Sequence, residues 1–595
     1  MSTSAFFELG IGTSGLLASQ RALVVTGNNV TNANTEGYSR QVVTQKASKA
    51  LRAGGAGMIG TGTEVTAINR VRDEYLDTKF RYQNNKLAEY SVKSEKMSEI
   101  SLQFNEPSDD GINSVLSSVF SSLQDLTINS TDSSYFENVT GNAQTLIDTI
   151  RNIASQLEQE QTLTNDEVSY TVDEINSIAR QIQALNIQIN KFEINNNEAS
   201  SLRDDRDLLI SKLSEYVNVT TEQMLVDETS NNYRFCVKIN GQELVNHDRV
   251  NLLVCEKNMS YLNPEDNDCL YNVKWANGNE FDEYSSTLTG KLKALVEVRD
   301  GNGGMQLNGK VKSISYDVNN VPTIVLEGVN RGDISNEGMI NIYGKSYVYG
   351  PNSYDPETNE LTITLTEGYD IPVVFTEGAQ ARIGSKVEYR GIPYYINKLN
   401  EFVRTMASAM NEGKYRNGEQ IEGLTGTVNG YTQSGESGIY FFSYQDENGN
   451  VLGAGDKVDY EKMNIFNLSL GREIQESSRN IPISRVQNPG ESQVDLISEL
   501  ATINHVDIFK EGECSDFLTS IISEVAMDVN QAEKYKEIQD NLVLYTTNKI
   551  SENSGVVQNE EMTNLVKFQS AYKASARIIN VMNTVYDTLI NGIFS

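Results

Sequence analysis

Few residues in this chain stand at spacings that could do chemistry. The two histidines, His247 and His505, lie in unrelated surroundings, and no HExxH frames either. A Ser/His/Asp triad or a histidine-based zinc site would have to be built on one lone imidazole. Residues 55–60, Gly-Ala-Gly-Met-Ile-Gly, match GxGxxG. The dinucleotide mechanism needs a strand before that motif and a helix after it, so that phosphate meets a helix N-terminus. Here a β-like run follows, so a glycine-rich turn is expected. Asp446, Asn448 and Asn450 imitate the opening of a calcium loop, but Val451 stands where glycine is needed and no glutamate closes the loop. A polar hairpin turn is expected instead. Asp204, Asp205 and Asp207 cluster with Arg203 and Arg206. Paired carboxylates can do acid–base work, but neighbouring helix positions point to different faces, so a solvated salt-bridge surface is expected. No catalytic residue, cofactor site or metal site follows from any of these.

The four cysteines, Cys236, Cys255, Cys269 and Cys514, form no CxxC pair. Buried free thiols are expected, with a Cys255–Cys269 pairing left open. A net charge of −32 repels phosphate backbones, so nucleic acid is excluded as a partner. The acidity serves solubility, in the assembled protein or in a subunit awaiting assembly. The N-terminus has no basic region followed by an apolar core, so no secretory signal peptide is expected. No run approaches about 18 apolar residues, so no membrane span is expected. The length, 595 residues, corresponds to about three to five domains.

The elements that would position any site follow from proline placement and hydrophobic period. All nine prolines lie between Pro107 and Pro489, so both ends lack the strongest helix breaker. Leu9, Leu16, Leu23 and Val30 recur at every seventh position, one face of an amphipathic helix. Asn28, Asn29, Asn32, Asn34, Gly37 and Tyr38 follow or overlap its end, in a segment that favours turns. Residues 41–70 read as extended. Apolar stripes return over 74–215, starting with Leu76, Phe80, Leu87, Tyr90, Met97 and Phe104, as long helices of an antiparallel bundle, with a stop at Glu106-Pro107. After residue 217 the texture turns β-like, with Asn240-Gly241 as a hairpin turn and Trp275 as a core anchor. Residues 392–411 read as a helix and 420–485 again as β. Near the C-terminus, Leu565, Phe568, Tyr572, Ile579, Met582, Tyr586, Leu589 and Ile593 form a broad apolar face.

Two terminal motifs carry a resemblance. One is Ser14-Gly15-Leu16 and Leu23 followed by residues 28–40, NNVTNANTEGYSR; the other is residues 554–594, beginning SGVVQNEEMTNLVKFQSAYKAS. Together they resemble the flagellar axial proteins, the family of rod, hook and hook-associated subunits. The long helices at 74–215, the segment SLRDDRDLLISKLSEYVNV and the segment LTGKLKALVEVRD resemble the hook-associated branch, with 302–390 as an extra insertion. The resemblance implies a structural subunit joining hook to filament and no enzyme. It implies the apolar and Asn/Gly/Tyr positions named above as the assembly interface. It implies extracellular placement at the hook–filament junction, reached by flagellar type III export without a cleaved signal. Implied partners are other copies in a ring, the hook protein, a second junction protein and a cytoplasmic export chaperone on the C-terminal helix. The alternatives are a hook or rod subunit, or a secreted hydrolase or adhesin acting through the insertion.

The expected fold is α+β and multidomain. Residues 1–40 with 551–595 would form a terminal coiled coil, and 41–217 with 490–550 a long-helix bundle. Residues 218–301 with 391–489 would form a β-rich outer domain with a helical segment, and 302–390 an inserted β-rich domain.

Overall fold

The computed structural model describes residues 7–53, 57–104, 111–193, 198–227, 232–258, 261–267, 269–318, 320–329, 334, 338–343, 345–355, 358–366, 378–416, 418–446, 448–487 and 493–593. It is a mixed α+β architecture in which the chain runs out along two helices and returns along two others. Helix α1 (Phe7–Thr31) is followed by four short strands, β1 (Gln41–Ala47), β2 (Leu51–Ala53), β3 (Gly57–Ile59) and β4 (Thr63–Arg70). β1 pairs with β4 and β2 with β3, giving the extended arm that 41–70 predicts. Gly55 and Ala56 of the GxGxxG match lie outside the described residues. Gly57, Met58 and Ile59 form β3, Gly60 follows it, and the strand β4 comes next rather than a helix.

Four helices come next: α2 (Glu74–Gln103), α3 (Ile112–Ile128), α4 (Ser133–Glu193) and α5 (Ser200–Tyr216). Asp73 caps α2 by accepting from the Tyr75 and Leu76 amides. The expected stop at Glu106-Pro107 lies outside the described residues. The apolar stripes Val139–Leu157 and Val172–Phe192, each long enough for a helix of its own, lie on one helix of 61 residues, α4. Nothing between them breaks a helix, because residues 158–171 contain no Gly or Pro.

Sheet β5 (Val219–Asp227), β6 (Asn232–Ile239), β7 (Gln242–Asn246) and β8 (Arg249–Val250) is an antiparallel meander. Its β6–β7 turn is Asn240-Gly241, both at positive φ, as a two-residue hairpin requires. Strands β9 (Leu253–Lys257) and β10 (Tyr271–Trp275) form a second hairpin, and α6 (Lys291–Asp300) follows. Trp275 is buried edge-on against Phe281. All four cysteines are free.

A closed six-stranded barrel then interrupts the chain. Strands β11 (Leu307–Tyr316), β12 (Pro322–Glu327), β13 (Gly338–Ile342), β14 (Lys345–Asp355), β15 (Glu360–Leu365) and β16 (Gln380–Ile383) close in the order β11-β12-β15-β14-β13-β16. Alternate residues point inward, for instance Ile324 and Leu326, Ile340 and Ile342, Leu361 and Ile363. The chain enters and leaves through a narrow neck. Gly391 donates to the Gly301 carbonyl at 3.0 Å, Gly303 donates to the Tyr389 carbonyl at 3.0 Å, and Asn302 and Arg390 form an antiparallel bridge.

Helix α7 (Ile392–Glu412) begins with Pro393, which suits a first turn, and ends at Gly413 in the left-handed conformation. Among its described residues the stretch 420–485, which reads as β, holds only two three-residue strands, β17 (Phe442–Tyr444) and β18 (Leu468–Leu470). The short helix α8 (Arg472–Glu476), 3-10 turns and isolated bridges fill the rest. Gly-rich turns interrupt the ladder before it can extend, and the segment packs as covering loops over α7. Asp446 accepts from the Asn448 and Asn450 amides at 2.9 and 2.8 Å, so the calcium-like run is a side-chain-closed turn. Helices α9 (Asp495–Thr502), α10 (Cys514–Ser554) and α11 (Gln558–Ile593) complete the chain.

Three apolar cores result. The largest joins the end of α2, α3, the first half of α4, α7, the 421–483 loops and the start of α10. The second joins the later half of α4 to α5, α6 and β6 to β10. The third fills the barrel. Between the two halves of α4 lies a polar waist. Gln161, fully buried, donates to Asp266 and to the Arg299 carbonyl, and Asn165 accepts from Arg299 at 3.0 Å. Arg299 is itself buried and paired with Asp300 at 2.7 Å. Burial, with the Asp300 charge adding, pushes the Asp266 carboxyl up to about 7, and burial pushes Glu283 up to about 8. One arginine therefore need not balance three ionised acids.

The neck makes a prediction. Replacing residues 303–389 by a two-residue Asn-Gly turn reconnects Asn302 to Arg390 as a hairpin. The rest of the chain is expected to keep its fold, losing about 1–3 kcal/mol where Asn302 and Asn263 give up the partners they have on Ser385. Hydrogen exchange checks it: protection in α4 and α7 should survive the deletion.

Candidate assembly interface

The terminal helices lie antiparallel, Gly12 opposite Ile579 and Asn29 opposite Glu561. Their closest approaches on α1 fall at Gly12, Gly15 and Asn29, and small residues stand at heptad spacing from these. Gly12, Ser19 and Thr26 recur at sevens, as do Gly15, Ala22 and Asn29, and all but the half-buried Gly15 are buried. A Cβ on Gly12 would sit 2.9 Å from the Ile579 side chain, and one on Gly15 would sit 2.8 Å from Ser575 Oγ. The backbones approach this closely only because those side chains are missing.

The large apolar positions flank this line. Leu9, Leu16, Leu23 and Val30 are half-buried, and Leu17 and Val24 are 51% and 67% exposed. On α11, Leu565, Phe568, Tyr572, Ile579, Met582 and Tyr586 are likewise half-buried. The side chains of Leu589 and Ile593 lie outside the described residues. Met562, Val566, Val581, Val585 and Ile590 are exposed. The pair thus keeps apolar surface on sides that one chain does not cover.

The segment after α1 is a hydrogen-bonded hub. Asn29, 1% exposed, donates to the Gln41 carbonyl at 2.9 Å and to Glu561 at 3.0 Å. It accepts from the Gln41 amide at 3.0 Å and from the Tyr38 hydroxyl at 2.8 Å. Asn28 donates to Tyr38, and Asn32 donates to Asn28. Burial, with the Asp204 and Glu561 charges adding, pushes the Tyr38 hydroxyl up to about 12, so it stays a donor. Gly37 takes a positive φ against Leu208. Asn34 is exposed in the turn and stands apart from the hub. Arg40 closes the ring through its amide to the Ser554 carbonyl at 2.9 Å and its guanidinium to Glu560 at 3.3 Å.

The acidic cluster on α5 is a correction to the sequence reading. Asp204, Arg206 and Asp207 are 5%, 5% and 8% exposed, so this is a buried network and not a solvated surface. Ser39 donates to Asp204 through its amide and its hydroxyl, at 3.1 and 2.8 Å. Arg70 bridges Asp204 and Asp207 at 2.8 and 2.9 Å. Arg72 pairs with Asp77 at 2.6 Å and donates to Ser39. These groups fasten the terminal pair to the helical block. Sequence reasoning missed Arg70 and Arg72 because they lie on and just after β4, far in sequence from the α5 carboxylates they face. Burial raises the Asp207 carboxyl, but Arg72, Arg70, Arg206 and Arg81 outweigh it and hold it below the usual range. Of the two histidines, His505 is exposed and His247 half-buried. No group of three metal-ligating side chains occurs among the described residues. Among the same residues, no helix is long and apolar enough to cross a membrane.

Two outcomes follow. Asn29→Ala leaves buried partners unsatisfied and should cost roughly 2 kcal/mol or more, seen as faster hydrogen exchange in α1 and in the first turns of α11. Asp207→Asn should cost about 3 kcal/mol at neutral pH. The folded-state value of Asp207 is depressed, so its contribution is present above the unfolded value of about 3.9 and is lost as pH falls through the folded one. Denaturation curves of the variant and the parent should therefore converge in acid.

A family model described as the flagellar hook-associated protein FlgK helical domain matches residues 97–322. One described as flagella basal body rod protein matches residues 9–38. One described as flagellar basal body rod FlgEFG protein C-terminal matches residues 548–592. The chain is 27% identical over 601 residues to flagellar hook-associated protein 1 of Bacillus subtilis, covering 99% of each. It is 24% identical over 584 residues to the protein of that name from Salmonella typhimurium, covering 97% of this chain and 98% of that one. The solved flagellar hook junction protein FlgK from Burkholderia pseudomallei aligns at 15% identity and a TM-score of 0.45, covering 80% of this chain and 99% of that one. With the rod-type models on its two paired ends, the FlgK helical model between them and relatives matching from end to end, the chain is similar along its whole length to the flagellar hook-associated protein 1 of bacterial flagella.

Proposed function

We propose that this chain is a structural subunit of the flagellum, placed at the hook–filament junction and joining hook to filament. The observation that carries this reading is the terminal pair. α1 and α11 meet along small residues and leave Leu17, Val24, Val566 and Val581 exposed. Helix pairs with apolar flanks on several sides suit a packed tube of identical subunits, where neighbours cover what one chain cannot. The relatives named hook-associated protein support the junction over a hook or rod position.

In this reading the terminal pair lines the axial channel, the helical block packs outside it, and the β-rich parts and the barrel face outward. The large apolar positions on both helices are the contacts between subunits. The hub from Asn28 to Tyr38 sets the angle of the pair within each subunit. Partners are other copies in a ring, the hook protein on one side and a second junction protein on the other. Before export, a cytoplasmic chaperone covers the apolar face of α11, which a lone amphipathic helix in water needs. Export proceeds through the flagellar type III apparatus without a cleaved signal. The function is mechanical and needs no catalytic group. The barrel is surface decoration.

Disruption of the gene, followed by electron microscopy and an assay for flagellin in the medium, tests this. Hooks without filaments, together with flagellin in the medium, are expected. Cells without hooks would move the protein to the rod or hook, and intact filaments would remove it from the axis.

A further inference from the structure

An open cleft of about 500 Å³ lies where the loop 261–267 meets α4, α7 and the turn before β18. That volume falls within the roughly 300–1,000 Å³ of small-molecule sites. The same loop helps to seat the barrel, since the Tyr261 carbonyl accepts from the Met339 amide of β13 at 3.0 Å. Tyr261, Phe466, Glu158, Glu265, Asn400 and Asn464 are among the residues that line the cleft. Among the described residues, no Lys, Arg or His lines it.

Two side-chain amides in the cleft have one end in use and the other to spare. Asn400, on α7, is 6% exposed, and its Oδ1 accepts from the Ile465 amide at 2.9 Å. Asn464 Oδ1 accepts from the Phe466 and Asn467 amides, each at 2.9 Å. These bonds fix which end of each side chain is the oxygen. Neither Nδ2 donates to any group among the described residues, and neither is sealed from solvent. Both amides are tied to one turn, residues 464–466, so the spare donors hold a set relation to each other. The acceptors are the carboxylates of Glu158 and Glu265, each with lone pairs for several donors. Asp266, in the same wall, is engaged by the Asn263 amide at 2.7 Å and by Gln161 at 3.1 Å. Phe466, beside Asn464, is 38% exposed.

We propose that this cleft binds a neutral saccharide of one or two pyranose rings. A cation would meet the carboxylates and leave both amide donors unmatched. An anion, acidic sugars included, would meet the donors and be repelled by the carboxylates. An apolar guest would strip water from both kinds of group and return no hydrogen bond. A hydroxyl is donor and acceptor at once, so a ring of hydroxyls serves the amides and the carboxylates together. The C–H face of a pyranose covers the Phe466 ring and takes its apolar surface from water. Binding here is separate from assembly at the junction and holds whichever place the subunit takes in the axis.

The test uses the full-length protein and saturation-transfer NMR observed on the ligand. The probes are maltose, cellobiose, lactose and diacetylchitobiose, with spermidine as the cationic comparison. Transfer to at least one disaccharide is expected, with a Kd on the order of 1 mM. Asn464→Asp keeps the turn, because a carboxylate still accepts from the Phe466 and Asn467 amides, but it replaces the spare donor by an acceptor. Asn464→Asp and Phe466→Ala should each weaken binding about tenfold or more while the melting temperature stays unchanged. No transfer to any of the disaccharides in the unaltered protein would overturn the proposal. Binding that survives both variants at full strength would overturn it as well, since the sugar would then sit elsewhere. Spermidine bound more tightly than every disaccharide would make the cleft a cation site and overturn the choice of ligand.

Discussion

The structure depends on the chain returning to where it began. α1 lies antiparallel to α11, and α2 lies antiparallel to α10, with Tyr90 stacked on Tyr535 at 4.9 Å and Lys79 over the Tyr545 ring. Everything from residue 104 to residue 513 hangs between an outgoing and a returning helix. A single amphipathic helix in water is marginal, so each of the four depends on its antiparallel partner along much of its length, and α2 and α10 also on the core at their inner ends. The cost of closing so long a loop grows only with the logarithm of its length, which is why the excursion can be hundreds of residues. It also explains the fastening around Arg70, Asp204 and Asp207. Two helix pairs in series need a fixed angle between them, and a buried arginine–carboxylate network sets direction where an apolar contact would not.

The second organising element is α4. At 61 residues and about 1.5 Å each, it spans roughly 90 Å and serves two apolar cores in turn. The boundary between them is polar: Gln161 and Asn165 satisfy Arg299, Asp266 and the backbone of the 267–271 segment. Buried polar groups at such a waist fix register, since sliding α4 by one turn would strand every one of them. The barrel joins the body just beyond this waist. Its neck follows Asp300, and Asn302 binds Asn263 beside it. The insertion therefore leaves from the most tightly specified part of the molecule.

The contact between α1 and α11 leaves large apolar side chains outside the pair. Small residues carry the intrachain pairing, so the large apolar ones stay available. A helix that spent Leu16, Leu17, Leu23 and Val24 on its own partner would have nothing left for a neighbour. The exposed apolar faces are costly for a single chain in water.

Helical periodicity made most of the α elements legible, because a stripe at sevens is a local property that survives in any context. The Asn240-Gly241 turn and the arm at 41–70 were legible for the same reason. The terminal motifs made the family legible before any coordinate. The fusion of two stripes into α4 was open in the sequence, where the absence of Gly or Pro over 158–171 is the signal. Three things only the tertiary structure decided. The α5 carboxylates read as solvated because their arginine partners on and after β4 are distant in sequence. The 420–485 segment read as β because its residue types are β-prone, yet its loops are held by burial over α7 and not by a ladder. The choice of Gly12 and Gly15 over the leucines at the closest approach follows from backbone distance, since a Cβ at either would meet Ile579 or Ser575. Hydrophobic pattern marks which residues avoid water; only packing decides which of them meet each other and which stay exposed.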